Sequence, residues 1–492
     1  MTPVAGAGPW GGVSTGLLLR LLIGLKLCLL AALAFNTRFV MDEFWTLSQT
    51  TWLWDGFFTT IWPEKSVLYV VFYDLARRIG TDSVSMLLIA RAMTAGVAMI
   101  TCALVWRIAR HSGQSALMAA LGVMVLLSFS NFMERGFRLR SEPLALLFAL
   151  LALWVTMRGP ADRTGRLILA GIFSGLAFLT TQKSIYFNVA LGMALVVDAL
   201  ALRRPASALR RGTLLIGGWL IAVATYVLGF GGMAPLGVLR ALFLGPIEVA
   251  TVAHELYPGI RGFVGQTFVR NIALYIPCLA GLAVMLAGLP RLAPPQRIHA
   301  IFTLVMAVLV FTHDQPWPYV FTMVLPVLAI CPGHLLTRSR EGIGAKVVLM
   351  LLVAGISAGF VRNVAYFDHD NRVQLAFIRQ AEALVPLGET YFDGIGMLPA
   401  RRMAPRLWLD AMAVSRANAA GPDGALPNAL AEERPELIIQ SYRTDAIRPV
   451  IAGLVDTRYV HDGEDLLRLR QPGEAPQGGG PSATDLFQSV YD

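Results

Sequence analysis

Long apolar segments separated by short polar loops dominate the first 361 residues of the chain. Because about 20 apolar residues in a helix cross the hydrocarbon core of a bilayer, segments of this length predict membrane spans. We predict about eleven transmembrane helices, roughly at residues 17–35, 87–106, 115–132, 143–157, 166–181, 184–202, 212–230, 268–289, 298–312, 317–336 and 344–361. No small-residue cleavage site follows Leu17–Phe35, which predicts an uncleaved first helix and not a removable signal peptide.

The positive charges occupy every second loop between these segments. Since cationic loops stay on the cytoplasmic side, the alternation predicts a cytoplasmic N-terminus and a soluble C-terminal part outside. The cationic loops carry Arg107, Arg110, Arg158, Arg163, Arg166, Arg203, Arg204, Arg210, Arg211, Arg291, Arg297, Arg338, Arg340 and Lys346. The other loops then place Asp42, Glu142, Lys183, His254 and His313 on one outer face.

Val67–Ile79 is apolar but short, and it ends in Arg77 and Arg78. Counting this segment as a span would invert the charge pattern of every later loop. We therefore expect an amphipathic helix that lies along the outer interface, within a long first external loop at residues 36–86. The same loop is rich in aromatic residues typical of the headgroup level, namely Trp45, Trp52, Trp54, Phe57, Phe58 and Trp62.

Residues 362–470 are more polar and alternate short β-like runs with helical stretches. The runs are Thr390–Phe392, Glu436–Gln440 and Leu466–Leu469, which predict a small external α/β domain. The tail at residues 471–492 is rich in proline and glycine, which is typical of disorder. The predicted fold is thus an all-α polytopic membrane domain at residues 1–361 followed by this small domain.

Composition agrees with the pattern, since 55% of the 492 residues are hydrophobic and only 15% are charged. The net charge of +9 would allow nucleic-acid binding, but the positive-inside distribution explains it better, so no nucleic-acid partner is predicted. The cysteines Cys28, Cys102, Cys278 and Cys331 fall in or at the ends of apolar runs without metal-site spacing. We expect buried free thiols and no disulfide framework.

The acidic pair Asp42 and Glu43 comes directly after the first predicted span. It could simply be a solvated stop to that helix. Carboxylates near membrane depth more often mark function, and one of them could act as a general base while the second holds a metal or orients a sugar. Asp55 and Glu64 in the same loop are weaker alternatives.

The external loop at residues 133–143 contains Arg135, Arg138 and Arg140 together with Glu134 and Glu142. The positive-inside rule predicts few arginines there, so the cluster needs another reason. Guanidinium groups bind phosphate in bidentate fashion, which favours an anionic headgroup or a phosphate leaving group. An internal salt-bridge cluster with the two glutamates is the alternative.

The remaining candidates are single residues of the outer loops. Lys183 lies between the fifth and sixth spans, where it could bind phosphate or merely extend to the interface. The two histidines and two acids His254, Glu255, His313 and Asp314 could ligate a divalent cation, although their spacing does not require one. Lys65 and Tyr69 could shape a donor pocket.

Several of these motifs together resemble the C-type glycosyltransferase superfamily. They are the acidic pair after the first helix, the long first external loop, the R-x-R-S-E-P-L-A segment from Arg138, the G-L-A-F-L-T-x-Q-K turn that ends at Lys183, and the external domain. The resemblance covers about residues 15–361. It is closest to lipid A aminoarabinose transferases, protein O-mannosyltransferase-like enzymes and galacturonosyltransferase-like membrane proteins.

The resemblance implies an inverting transfer of a sugar from a polyprenyl-phosphate carrier to a lipid, glycan or protein acceptor. It implies a multi-pass enzyme of the plasma (inner) membrane, in contact with membrane lipids, whose reaction takes place on the outer face. Asp42 matches the catalytic acid of the first loop with Glu43 as its neighbour. Arg138, Arg140 and Lys183 match positions facing the carrier phosphate, and His313 could join them. Relatives often read Pro-Pro-Leu-x-Tyr where this chain has residues 63–69, PEKSVLY.

Two other classes of protein remain as alternatives. A transporter or flippase for a lipid-linked sugar would also be polytopic, but such carriers commonly show internal repeats and charges at the midplane. No repeat of fixed period is visible in the sequence. A non-catalytic membrane scaffold whose external domain binds a partner is the second alternative.

Overall fold

The computed structural model describes residues 12–53, 66–159, 163–231, 235–247, 260–313, 318–338, 342–462, 465–471 and 474. A bundle of helices occupies the chain as far as Ala365, and a small α/β part follows it. The described α-helices of the first part are α1 Gly12–Asn36, α2 Met41–Ser48, α3 Leu68–Ile79, α4 Ser83–His111, α5 Ala116–Leu126, α6 Ser130–Arg135, α7 Ser141–Met157, α8 Thr164–Thr180, α9 Ile185–Ala201, α10 Pro205–Gly231, α11 Pro235–Phe243, α12 Ile260–Ala287, α13 Pro294–Phe311, α14 Leu325–Leu328, α15 Cys331–Arg338 and α16 Ile343–Ala365.

Seven described helices are long and apolar enough to cross a membrane, and four shorter apolar helices lie among them. This confirms the prediction of a multi-span, mostly helical protein, whereas the number eleven stays a prediction. The predicted amphipathic segment forms α3, and its Asp74 pairs with both Arg77 and Arg78 at 2.9 and 2.6 Å. Its position along the interface stays a prediction.

The predicted span at residues 317–336 is wrong as a single helix. From residue 318 the chain forms a 3-10 helix, Pro318–Met323, and then the two short helices α14 and α15. Proline at positions 326 and 332 can start a helix but cannot continue one, because its nitrogen has no hydrogen to donate. Two carbonyl groups at the break are paired with distant side chains: Val327 O lies 2.9 Å from Nε2 of His299 in α13, and Ile330 O accepts from Nε2 of Gln114, in the turn between α4 and α5, at 2.7 Å.

Helices α8 and α10 pack with their backbones in close approach. A Cβ atom at Gly171 would overlap the carbonyl oxygen of Leu215, and a Cβ at Gly218 would overlap that of Ile168. Small residues allow such contact between membrane helices, whose association depends on close packing. This contact fixes the position of α8, which leads into the turn with Lys183.

A buried ion triad joins α9, α10 and α13. Asp198 binds Arg211 Nη1 at 2.7 Å and Arg297 Nε at 2.8 Å, and all three side chains are almost fully buried. Removing one partner of such a group leaves an uncompensated buried charge, which costs about 3–5 kcal/mol. We expect Asp198→Asn to lower the free energy of unfolding by about that amount, measured by thermal unfolding in detergent.

The control is Asp370→Asn, which breaks the exposed pair of Asp370 with Arg372. Water screens this pair, so we expect little change in the unfolding temperature. Equal unfolding temperatures for the two variants would contradict a stabilising role of the triad.

The C-terminal part contains α17 Arg372–Ala383, α18 Ala411–Ala420, α19 Ala425–Glu433, α20 Tyr442–Ala446 and α21 Arg448–Arg458 around one sheet. The strands are β1 Thr390–Phe392, β2 Arg402–Met403, β3 Leu437–Ile439, β4 Tyr459–His461 and β5 Leu466–Leu469, in the order β2-β1-β3-β5-β4. Strands β2, β1 and β3 are parallel, and β5 and β4 continue the sheet antiparallel. The three predicted β runs are confirmed, whereas β2 and β4 were not predicted. The exact domain boundaries stay a prediction.

All four cysteines are free, as predicted. Cys102, Cys278 and Cys331 are buried, but Cys28 is exposed. Helix α1 packs against the bundle along only part of its surface, so burial of Cys28 within a bilayer stays a prediction.

Candidate active site

Glu43 is fully buried at the centre of an ion-pair network. It receives hydrogen bonds from Arg91 Nε at 2.8 Å and Nη2 at 2.7 Å, and from Arg138 Nη1 at 3.0 Å. The backbone nitrogens of Val40 and Leu139 donate to the same carboxylate at 3.0 and 3.3 Å. Burial alone would raise the pKa of Glu43, but Arg91, Arg138 and the Val40 amide hold it below its ordinary value.

This geometry favours a structural role for Glu43, whose predicted catalytic role stays a prediction. Its side chain has no exposed surface, and both oxygens accept hydrogen bonds from protein groups. The bond to the Val40 nitrogen fixes the start of α2, as a glutamate at the third helical position commonly does. Glu43 therefore positions the helix on which Asp42 lies.

Arg91 was missed in the sequence, although it connects α1, α2 and α4. Besides Glu43, its guanidinium donates to the carbonyl oxygens of Ala34 at 3.1 Å, Thr37 at 2.5 Å and Arg38 at 2.8 Å. These oxygens lie at the end of α1, where a helix leaves carbonyl groups without helical partners. A cation among the apolar residues of α4 was the available signal, since such a charge needs a buried counter-charge.

Asp42, next to Glu43 in sequence, keeps 28% of its side chain exposed. Its Oδ2 accepts a short hydrogen bond from Arg140 Nη1. Arg140 also donates from Nε to Glu142 at 3.4 Å, and its guanidinium lies 3.5 Å from the centre of the Tyr319 ring. Lys183 donates to Tyr319 Oη at 3.1 Å and lies 3.9 Å from Glu142. We call these five residues the Asp42 cluster.

The cluster forms because four chain turns meet at one end of the bundle. Asp42 lies in the first turn of α2, Arg140 and Glu142 at the start of α7, Lys183 in the 3-10 helix Gln182–Ser184, and Tyr319 in the 3-10 helix Pro318–Met323. The prediction from loop charges placed Asp42, Glu142 and Lys183 on one face, and the structure brings them together.

The backbone of Arg140 is held by Tyr73 of α3. The Tyr73 hydroxyl receives a hydrogen bond from the Arg140 nitrogen at 3.2 Å and lies 3.1 Å from the Arg140 carbonyl oxygen. Thr94 Oγ1 contacts the same hydroxyl at 2.9 Å. Burial raises the pKa of Tyr73, which therefore remains protonated and able to donate.

Lys183 combines partial burial with mixed charges around it. Its side chain is 22% exposed. The carboxylate of Glu142 attracts its ammonium group, and the guanidinium of Arg140 repels it.

Arg138 belongs to the Glu43 network and not to the Asp42 cluster. It donates to Glu43 and to the carbonyl oxygens of Arg38 at 3.1 Å and Glu134 at 3.0 Å. Only 11% of the side chain is exposed, which favours a structural role for Arg138, and its predicted contact with a carrier phosphate stays a prediction.

The other predicted residues lie at varying distances from the cluster. Tyr69 is buried and pairs through its hydroxyl with Gln49 at 3.1 Å, and burial raises its pKa to about 12. His313 lies two residues after the end of α13, with its Nδ1 2.6 Å from the hydroxyl of Tyr186, which follows Lys183 by three residues. Lys65, His254 and Glu255 lie outside the described residues.

Within the described ranges, no three His, Cys, Asp or Glu side chains are grouped so that they could hold a metal ion. The predicted divalent cation involved His254 and Glu255, which are not among those residues. A divalent cation therefore stays a prediction.

Comparisons with known proteins agree with the fold. Residues 71–228 match the family model of dolichyl-phosphate-mannose-protein mannosyltransferases. Residues 415–462 match a domain of unknown function, DUF7056. No curated protein matches the chain.

Among solved structures, ArnT from Cupriavidus metallidurans bound to undecaprenyl phosphate has a TM-score of 0.64 at 13% identity, covering 93% of this chain and 99% of that one. Its apo state has a TM-score of 0.62, also at 13% identity, covering 93% and 98%. The apo oligosaccharyltransferase of Archaeoglobus fulgidus has a TM-score of 0.53 at 13% identity, covering 90% of this chain and 73% of that one. These similarities establish the fold of the chain.

Proposed function

We propose that this chain, whose fold is that of the C-type glycosyltransferases, transfers a sugar from a polyprenyl-phosphate-linked donor to an acceptor on the outer face of the membrane in which it lies. The observation that carries the proposal is the Asp42 cluster. There a partly exposed carboxylate lies beside the cations Arg140 and Lys183, which come from separate turns. The match to a mannosyltransferase family model and the likeness to a structure that holds undecaprenyl phosphate support the same donor class.

The reaction is a single displacement that inverts the anomeric centre. Asp42 takes the proton of an acceptor hydroxyl while that oxygen forms a bond to the anomeric carbon. The bond between this carbon and the phosphate oxygen breaks, and the polyprenyl phosphate leaves with the electron pair. Arg140 and Lys183 stabilise the charge that develops on the departing phosphate.

Tyr319 holds Arg140 and Lys183 in position to bind the phosphate. Its ring lies against the Arg140 guanidinium, and its hydroxyl accepts a hydrogen bond from Lys183. Guanidinium groups stack well on aromatic rings and still present a planar set of donors to a phosphate. A cation held in this way needs little rearrangement as the reaction proceeds.

Transfer is tested with purified protein in liposomes that contain polyprenyl-phosphate sugars and envelope lipids, glycans or proteins as acceptors. Mass spectrometry of the products, and of the envelope of a deletion strain, identifies the transferred sugar and its acceptor together. We expect a covalent product and free polyprenyl phosphate in equal amounts. Movement of a labelled donor across the bilayer without any covalent product would instead favour a flippase.

The alkaline side of the pH profile tests the role of Lys183. A lysine side chain loses its positive charge as the pH rises through its pKa, whereas an arginine stays charged. The charged form binds phosphate, so the donor KM is expected to stay constant below this pKa and to increase as the pH rises through it. Lys183→Arg keeps its charge and should move this increase to higher pH. Identical KM profiles for the wild type and Lys183→Arg would contradict the assignment.

A further inference from the structure

The short helix α2, which carries Asp42, is covered by the C-terminal domain. Trp45 stacks on Trp408, with ring centres 5.2 Å apart and ring planes 10° apart. The Tyr442 hydroxyl donates to the sulfur of Met41 at 2.9 Å. The domain thus contacts α2 at Met41, directly before Asp42, and again one turn later.

A rigid loop of the same domain contacts the far end of α2. Asp393 follows β1 and is fully buried, and its carboxylate accepts hydrogen bonds from the backbone nitrogens of Ile395, Gly396 and Met397 at 2.9, 2.7 and 2.7 Å. Gly396 has φ +83°, and a Cβ atom there would overlap Ser48 Oγ and lie 2.6 Å from Ser48 Cβ. The loop is therefore fixed by its own hydrogen bonds while it touches the last residue of α2.

The segment ahead of α2 is also bound to this domain. Gln374 of α17 pairs with both backbone groups of Phe39, accepting from its nitrogen at 2.7 Å and donating to its oxygen at 3.1 Å. The nitrogen of Arg38 donates to the carbonyl oxygen of His369 at 3.0 Å. Domain contacts thus flank Asp42 on both sides in sequence.

We infer that the C-terminal domain acts as a clamp that sets the position of Asp42 in the reaction, with Gly396, Trp408 and Tyr442 as positioning residues. A helix of eight residues is not stable by itself, so its orientation depends on what packs against it. The pair of Glu43 with Arg91 attaches α2 to the helical bundle, and the stacking of Trp45 on Trp408 attaches it to the C-terminal domain. This inference rests on the proposed function, since it concerns the base of that reaction.

The test compares Gly396→Ala with Gly421→Ala. Both glycines have a positive φ, +83° and +69°, so alanine strains the backbone similarly at both positions. A Cβ at Gly421 meets nothing within 4 Å, whereas at Gly396 it displaces Ser48 and with it α2. Because a misplacement of about 1 Å can cost about 100-fold in rate, we expect Gly396→Ala to lower kcat roughly 10- to 100-fold. Donor KM should change little, and Gly421→Ala should keep the wild-type kcat.

A compensating substitution separates the clamp from general damage to the domain. Ser48→Gly removes the two nearest atoms that an alanine at position 396 would meet, and leaves Phe44 O at 3.4 Å. The double variant Gly396→Ala/Ser48→Gly should therefore recover the kcat of Ser48→Gly alone. Equal kcat values for the two glycine variants, or no recovery in the double variant, would overturn the inference.

Two further measurements apply if Gly396→Ala does not fold or if no transfer is found. Trp408→Ala should lower kcat as Gly396→Ala does, whereas Trp408→Phe, which keeps a stacked ring on Trp45, should stay near the wild type. Amide hydrogen exchange of residues 41–48 needs no activity and should be faster in Gly396→Ala and Trp408→Ala than in Gly421→Ala. Unchanged exchange in both would overturn the clamp, whereas absent wild-type transfer with faster exchange would overturn only the proposed function.

Discussion

Asp42→Asn is expected to lower kcat by about 100- to 10,000-fold, the range that general-base assistance contributes. Asparagine has nearly the same shape, and its amide oxygen can still accept the hydrogen bond from Arg140, so the variant loses the base and little else. The side chain is 28% exposed, and the substitution places no charge or cavity in the core. Initial rates at saturating donor, in liposomes with equal amounts of inserted protein, measure the effect.

Glu43→Gln is the matched control, because it makes the same chemical change one residue further along. Glu43 is fully buried against Arg91, and removing one charge of a buried pair costs about 3–5 kcal/mol. We expect a clear loss of thermal stability in Glu43→Gln and almost none in Asp42→Asn. Turnover near the wild-type rate in Asp42→Asn would remove Asp42 as the base.

Hydropathy predicted most of the fold because membrane helices are specified by composition over about 20 residues. The same signal could not show that residues 318–338 are broken, since an apolar run looks alike whether its helix is continuous or not. Pro326 and Pro332 were the local sign, and the partners that make the break possible, His299 and Gln114, are distant in sequence. Strands β2 and β4 have two and three residues, too few to show an alternating pattern.

The loop charges predicted that Asp42, Glu142 and Lys183 lie on one face, but they could not show which of the two adjacent acids is buried and which is exposed. Asp42 and Glu43 are adjacent, and on a helix adjacent side chains point about 100° apart. Only the rotation of α2 decides which of them meets Arg91, and contacts with distant segments set that rotation. Arg138 and Arg140 are two residues apart, yet Arg138 pairs with Glu43 and Arg140 pairs with Asp42. Contacts with distant segments decide these pairings as well.

Arg140→Gln is expected to lower kcat by about 100- to 1,000-fold, the typical cost of removing one donor from a site where negative charge develops. Arg140 is the residue of the cluster that contacts Asp42, Glu142 and Tyr319 together. Arg140→Lys should be intermediate, because lysine keeps the charge but not the planar guanidinium that stacks on the ring. Single-turnover rates with bound donor measure the chemical step without product release.

Arg138→Gln distinguishes this role from a general need for positive charge. Arg138 lies two residues away and donates hydrogen bonds to Glu43 and to two carbonyl oxygens. Its loss should lower the unfolding temperature, because Glu43 then keeps Arg91 but loses one of its two arginine partners among the described residues. It should affect the single-turnover rate much less than Arg140→Gln does. If both variants lost the chemical step equally while remaining folded, the carrier phosphate would contact both arginines, and the division between the Glu43 network and the Asp42 cluster would be wrong.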